Sequence, residues 1–162
     1  MSDSDDQDAF PTPELVVRET GARVPEQQAY LQIARTAETL GADLAALFER
    51  HGLSGRQYNA LRAIRRAGRP GATPSEIGAQ MTDRRSDVTR LVDRLHREGL
   101  VSRTPDETDR RVVRVRLSEK GAALLSALDA PLIETHRTHL GHLDPEDLEA
   151  IVVLMRKARR EA

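Results

Sequence analysis

The sequence predicts a mainly α-helical protein carrying one small β-ribbon, and three observations predict it. Apolar residues recur at helical spacing through most of the chain. Capping residues, prolines and glycines cut that pattern into separate helices. A single alternating run, Val113 to Leu117, changes the period to two. Two short helices precede the ribbon and longer ones occupy the chain ends. The expected division is an acidic, solvated arm over 1–25, helical regions for assembly over 26–52 and 118–162, and a compact lobe over 53–117.

The arm, MSDSDDQDAFPTP, is polar, acidic and punctuated by prolines. A long helix is expected from Glu26 to Arg50, where Ile33, Ala37, Leu40, Leu44 and Leu47 recur in the heptad-like stripe of a helix packed on another helix. His51-Gly52 ends it. Ser54 then caps a helix with Gln57 completing a capping box, and Tyr58, Leu61 and Ile64 form its buried face until Gly68-Arg69-Pro70-Gly71 stops it. Thr73, Pro74 and Glu76 repeat the start signal for a short helix bearing Ile77 and Met81.

A second short helix is expected from about Arg85 to Glu98. Val88, Leu91, Val92 and Leu95 make one face, and Asp87, Arg90, Asp93, Arg94 and Arg97 make the other, with Ser86 and Thr89 near the start. Gly99 stands where a left-handed residue ends a helix. Val101 and Arg103, a polar turn over 105–109 and the alternating run then form the ribbon. Val113, Val115 and Leu117 face one way and Arg114 and Arg116 the other. Two short helices followed by a basic ribbon describe a winged helix-turn-helix, a module that reads DNA.

Beyond the ribbon, Ser118 caps a helix containing Leu124, Leu125, Leu128, Leu132, Ile133 and Leu140, which Pro131 is predicted to kink or break. Asp144-Pro145-Glu146-Asp147 starts the last helix, striped by Leu148, Ile151, Val152 and Met155. These terminal stripes lack an evident partner inside a small lobe, and pairing with a second copy would bury them.

Net charge is −1, so bulk charge does not select a polyanion. Its distribution is more telling: between Arg84 and Arg116 ten arginines stand against six acids. The absence of cysteine excludes a thiol redox sensor and a thiolate zinc site. Two Phe and two Tyr are too few for a base-stacking platform. No apolar run approaches the ~20 residues of a membrane span, and the acidic start lacks a signal-peptide pattern, so a soluble, cytoplasmic protein is expected. No nucleophile elbow, phosphate loop or HExxH motif is present, and neither an enzyme nor a cofactor is expected. His136, His139 and His142 fall at i, i+3, i+6, but solvated or pocket-lining histidines explain them better than a metal site does, and none is expected.

At SEIGAQM, VTRLVDRLHREGLV and DETDRRVVRVRLSEKG the sequence resembles the MarR family of bacterial transcriptional regulators, from about Leu53 to Leu125. The resemblance implies a homodimer, a winged helix-turn-helix in each subunit, a palindromic double-stranded operator, and a ligand pocket between the DNA lobe and the dimerisation helices. Carried over to these positions, Ser86, Asp87, Thr89 and Arg90 would lie closest to bases, with Arg90 placed for a bidentate guanine contact and Arg94 and Arg97 on phosphates. Asp87 would read a cytosine amino group, cap the helix or pair with a neighbouring arginine. In the wing, the resemblance puts Arg110 in the minor groove and pairs Arg111 with Asp93, the two arginines being interchangeable in these roles. It sets His51, Arg56 and Tyr58 near the pocket. The expected function is a repressor released by a small molecule, an aromatic or phenolic acid being one class. The alternatives are a winged-helix adaptor for protein contacts, and a ligand-binding or enzymatic protein without operator specificity.

Overall fold

The structure, a computed structural model, describes residues 24–81, 87–106 and 108–160. Its elements are α1 (Pro25–Arg50), α2 (Gly55–Ala67), α3 (Pro74–Ala79), α4 (Val88–Arg97), β1 (Val101–Pro105), β2 (Val113–Leu117), α5 (Glu119–Leu140) and α6 (Pro145–Ala158). The acidic arm up to residue 23 lies outside the described residues, as do Ser86 and the turn over 82–85. Two compact units divide at Asp43 and Leu44, inside α1, and the second contains the winged module together with α5 and α6. No helix among the described residues is long and apolar enough to cross a membrane.

Local sequence sets most boundaries. Ser54 accepts the Gln57 N–H while the Gln57 side chain accepts the Ser54 N–H, and Thr73 and Glu76 repeat that exchange at α3. Each box satisfies two N–H groups that the first helical turn leaves unpaired. Gly99, at φ 73°, turns the chain out of α4 directly into β1. The strands pair antiparallel with Val101 opposite Leu117 and Pro105 opposite Val113. Ala72 adds a one-residue third strand, exchanging hydrogen bonds of 2.8 and 2.9 Å with Val115.

The core of the second unit gathers one face from every helix up to α5. Leu61 and Ile64 of α2, Ile77 of α3, Val92 and Leu95 of α4, Val115 of β2, and Leu125 and Leu128 of α5 are all essentially inaccessible. Each large apolar side chain buried this way contributes about 1.5–3 kcal/mol. Phe48 and Tyr58 stack within that core, centroids 4.4 Å apart. Gln57, the one buried polar residue among those described, is satisfied by the Ser54 N–H and by the Glu98 carboxylate at 2.8 Å, which ties the start of α2 to the end of α4.

Two expectations need correction. The helix predicted from about Arg85 begins at Val88, because Asp87 is its non-helical N-cap (φ −67°, ψ 86°). Of the kink or break expected at Pro131, the break does not occur: α5 continues from Glu119 to Leu140. Proline removes one helical N–H, but Leu125 and Leu128 anchor the helix in the core before it, and the Thr135 hydroxyl donates to the Pro131 carbonyl after it.

Candidate nucleic-acid interface

Helix α4 is amphipathic in the sense a groove-reading helix requires. Val92 and Leu95 are fully buried and fix its roll, which turns Thr89, Arg90, Arg94 and Arg97 outward, all exposed. Asp87 takes two of the three roles open to it: its carboxylate accepts the Arg90 N–H at 3.1 Å and pairs with Arg90 Nε at 3.0 Å. With Arg90 87% exposed, that pair is a solvated one of about 0–1 kcal/mol. Arg90 can therefore exchange Asp87 for a base edge at little expense. Arg94 and Arg97 make no ion pair among the described residues.

The wing holds its tip by polar contacts. Asp106 Oδ1 accepts the Thr108 hydroxyl at 2.6 Å and the Thr108 and Asp109 N–H groups, while Oδ2 accepts Arg114 Nε at 2.7 Å. The Asp109 carboxylate accepts the Arg111 N–H at 2.9 Å. Arg110 and Arg111 project from this turn, exposed and without an ion pair among the described residues.

The expected ion pair between Asp93 and Arg111 runs instead between Asp93 and Arg103, at 2.5 Å. Strand β1 starts four residues after α4 ends and brings Arg103 back alongside the helix, whereas Arg111 sits out at the wing tip. The wing is braced a second time by Arg114, whose guanidinium reaches both Asp106 and Glu76 of the α3 capping box, the latter at 3.2 Å. Sequence reasoning placed Arg114 on one strand face but missed this bridge, which joins residues 38 apart and has no local signature.

These contacts shift the carboxyl groups in one direction. The Thr108 hydroxyl first, then Arg114 and the turn N–H groups, hold Asp106 well below the usual carboxylate range. The Thr73 N–H chiefly lowers Glu76, and Arg65 lowers Asp129, to which it makes a two-pronged contact linking α2 to α5. A depressed native pKa gives stability that is complete above the unfolded value and is lost as pH falls through the native one. Asp106→Asn should therefore show a shallower loss of stability below about pH 4, the ordinary aspartate range. Urea unfolding between pH 2 and 6 measures it, and identical acid limbs would count against the contacts described.

The three residues expected at the pocket stand in different settings. Tyr58 is a core ring at 4% exposure, His51 bonds the Leu47 carbonyl through Nδ1, and Arg56 is exposed. Neither of two clefts, one beside the wing and one lined by Asn59, Arg62, Ala63, Arg66 and Gln80, includes them. His136 and His139 lie on α5 but His142 follows its Gly141 cap, and no metal-binding cluster occurs among the described residues.

Known proteins give this geometry a context. The model of the MarR family matches residues 51–112. A MarR transcription factor from Planctomyces limnophilus is 38% identical, its structure aligning with a TM-score of 0.62 over 80% of this chain and 94% of that one. The HTH-type transcriptional regulator PecS of Dickeya dadantii (strain 3937) is 29% identical over 129 residues, 79% of this chain and 78% of that protein. Bordetella bronchiseptica BpsR, whose DNA binding is regulated by 6-hydroxynicotinic acid, shares the fold, at TM-score 0.72 and 23% identity over 88% of this chain and all of that one.

Proposed function

The chain belongs to the MarR family, a family of transcriptional regulators and not of enzymes, and from that premise we propose that it acts as a homodimer on a palindromic operator and is a repressor released by a small molecule. The observation that carries the reading is the outward face of α4. Thr89, Arg90, Arg94 and Arg97 are exposed on a helix whose opposite face is locked in the core, with Arg110 at the tip of a doubly braced wing. In this reading Arg90, with Thr89, Asp87 and Ser86, reads bases, Arg94 and Arg97 meet phosphates, and Arg110 enters the minor groove with Arg111 flanking it.

Regulation in this reading is geometric. Two lobes must present their α4 helices to half-sites one DNA turn apart, roughly 34–36 Å. A ligand that favours another spacing shifts the population away from the DNA-competent form. A carboxylate effector such as an aromatic acid is supported by analogy with BpsR and its 6-hydroxynicotinic acid. Arg56, exposed and without an ion pair among the described residues, and His51 are the groups we assign to that carboxylate.

The test is fluorescence anisotropy on the protein's own upstream DNA, with random DNA as competitor. Arg90→Ala should weaken operator binding by about 1–3 kcal/mol and relax preference at one base position. Arg110→Ala should weaken binding across sequences. Operator affinity unmoved by both substitutions would overturn this docking.

A further inference from the structure

A cleft of about 380 Å³ opens between the 68–71 loop and the wing, lined by Arg69, Pro70, Asp106, Thr108, Arg114 and Arg116. Two of its three guanidiniums are already fastened by the protein. Arg116 donates through Nε to the Arg69 carbonyl at 2.8 Å and through Nη1 to the Thr104 hydroxyl at 2.9 Å. Arg114 is held between Asp106 and Glu76. A guanidinium carries five N–H donors, so each retains donors beyond these bonds, in positions that binding need not order afresh.

Arg69 is different. Its backbone carbonyl serves the fold, while its side chain is exposed and makes no ion pair among the described residues. Taking Glu76 together with the lining residues, three positive charges meet two negative ones. A site with surplus N–H donors and about one unbalanced positive charge suits a singly charged anion rich in acceptor oxygens, which describes a phosphodiester. Thr108 in the wall is two residues from Arg110, so a DNA strand touching the wing tip passes within reach of the cleft.

We propose that this cleft seats one phosphate of the DNA backbone, with Arg69 closing over it between the major-groove and wing contacts. The inference rests on the operator-reading function above and adds a contact that neither the recognition helix nor the wing tip supplies. Because Arg114 and Arg116 also brace the wing, Arg69 is the residue on which to test it.

The experiment measures binding of full-length wild type, Arg69→Ala and Arg62→Ala to operator and to random DNA from roughly 50 to 200 mM salt, the window in which phosphate contacts dominate. Arg62 is an exposed α2 arginine outside the cleft and supplies the charge-matched control. The expected result is a slope of log affinity on log salt that is shallower by about 0.9 in Arg69→Ala alone, with equal weakening on both DNAs and an unchanged thermal midpoint. A wild-type slope in Arg69→Ala, or an equal change in Arg62→Ala, overturns the seat. If the slope holds while inorganic pyrophosphate at constant ionic strength displaces DNA from wild type but not from Arg69→Ala, the cleft serves a free anion instead. Failure of wild type to prefer its operator would count against the operator reading, whereas the slope on random DNA would still test the cleft.

Discussion

If the chain acts as the proposed homodimer, Leu154→Asp is expected to turn it into a monomer and to abolish tight operator binding while leaving the winged lobe folded. Ile151, Val152, Val153 and Leu154 are 40–57% exposed, and no residue of α6 is buried. Successive helical residues point about 100° apart, so these four carry apolar surface all round the axis. Such a helix needs cover on more than one side. In the proposed homodimer a second copy supplies it, and in a two-fold interface each substitution counts twice. Losing two buried leucines at about 1.5–3 kcal/mol each weakens the dimer by at least about a hundredfold, before the burial of two carboxylates is considered. A monomer then engages one half-site and forgoes the second, intramolecular contact, itself worth about 10²–10⁴ in affinity.

Because α6 contributes nothing buried to the chain by itself, the substitution should leave helix content and the cooperative unfolding of the lobe in place. Sedimentation at micromolar protein reads the mass, and anisotropy reads the operator. A variant that still sediments as a dimer with wild-type operator affinity would show that other surfaces hold the subunits together.

The parts of the fold legible in the sequence are those where local chemistry decides. Both capping boxes, the Asp144 cap followed by Pro145, the left-handed Gly99 and the alternation from Val113 to Leu117 are short-range devices. Helix starts and the ribbon followed from them. What resisted reading is long-range. Whether Asp93 meets Arg103 or Arg111 depends on how β1 lies against α4, and either arginine fits the charge pattern. Whether Pro131 ends a helix depends on the core contacts of Leu125 and Leu128, which outweigh one lost hydrogen bond. Arg69 carried no sequence signal beyond its place in a Gly-Arg-Pro-Gly turn. It entered the site only because Arg116, on a strand 47 residues away, bonds its carbonyl. The outward face of α4 lay between these cases: the 3.6-residue period was plain, but its use of Asp87 as the cap had to be seen.

The second large effect concerns the joint between reading helix and wing. Gly121→Ala should destabilise the protein by about 3 kcal/mol, the upper part of the usual range for overpacking, and lower its melting midpoint by roughly 6–12 °C for a chain of this size. A Cβ at position 121 would lie 2.1 Å from the Leu100 carbonyl oxygen and 3.1 Å from its carbon, and both are backbone atoms that no rotamer change can remove. The same carbonyl accepts the Ser118 N–H at 3.0 Å, so the start of α5 is docked on the residue linking Gly99 to β1. Making room means pushing α5 off that link and breaking the bond, or tilting the wing away from α4. Either route disturbs the relation between Arg90 and Arg110, so operator affinity should fall even at temperatures where the variant remains folded. Gly55→Ala is the matched control: its Cβ would meet only the Phe48 ring, at an ordinary 3.8 Å. That substitution, at the first position of α2, should change stability by less than about 1 kcal/mol. Thermal unfolding and operator titration of the two variants side by side make the comparison. Equal midpoints would mean that α5 can retreat from Leu100 freely, and the close approach would then not be what holds the wing to the reading helix.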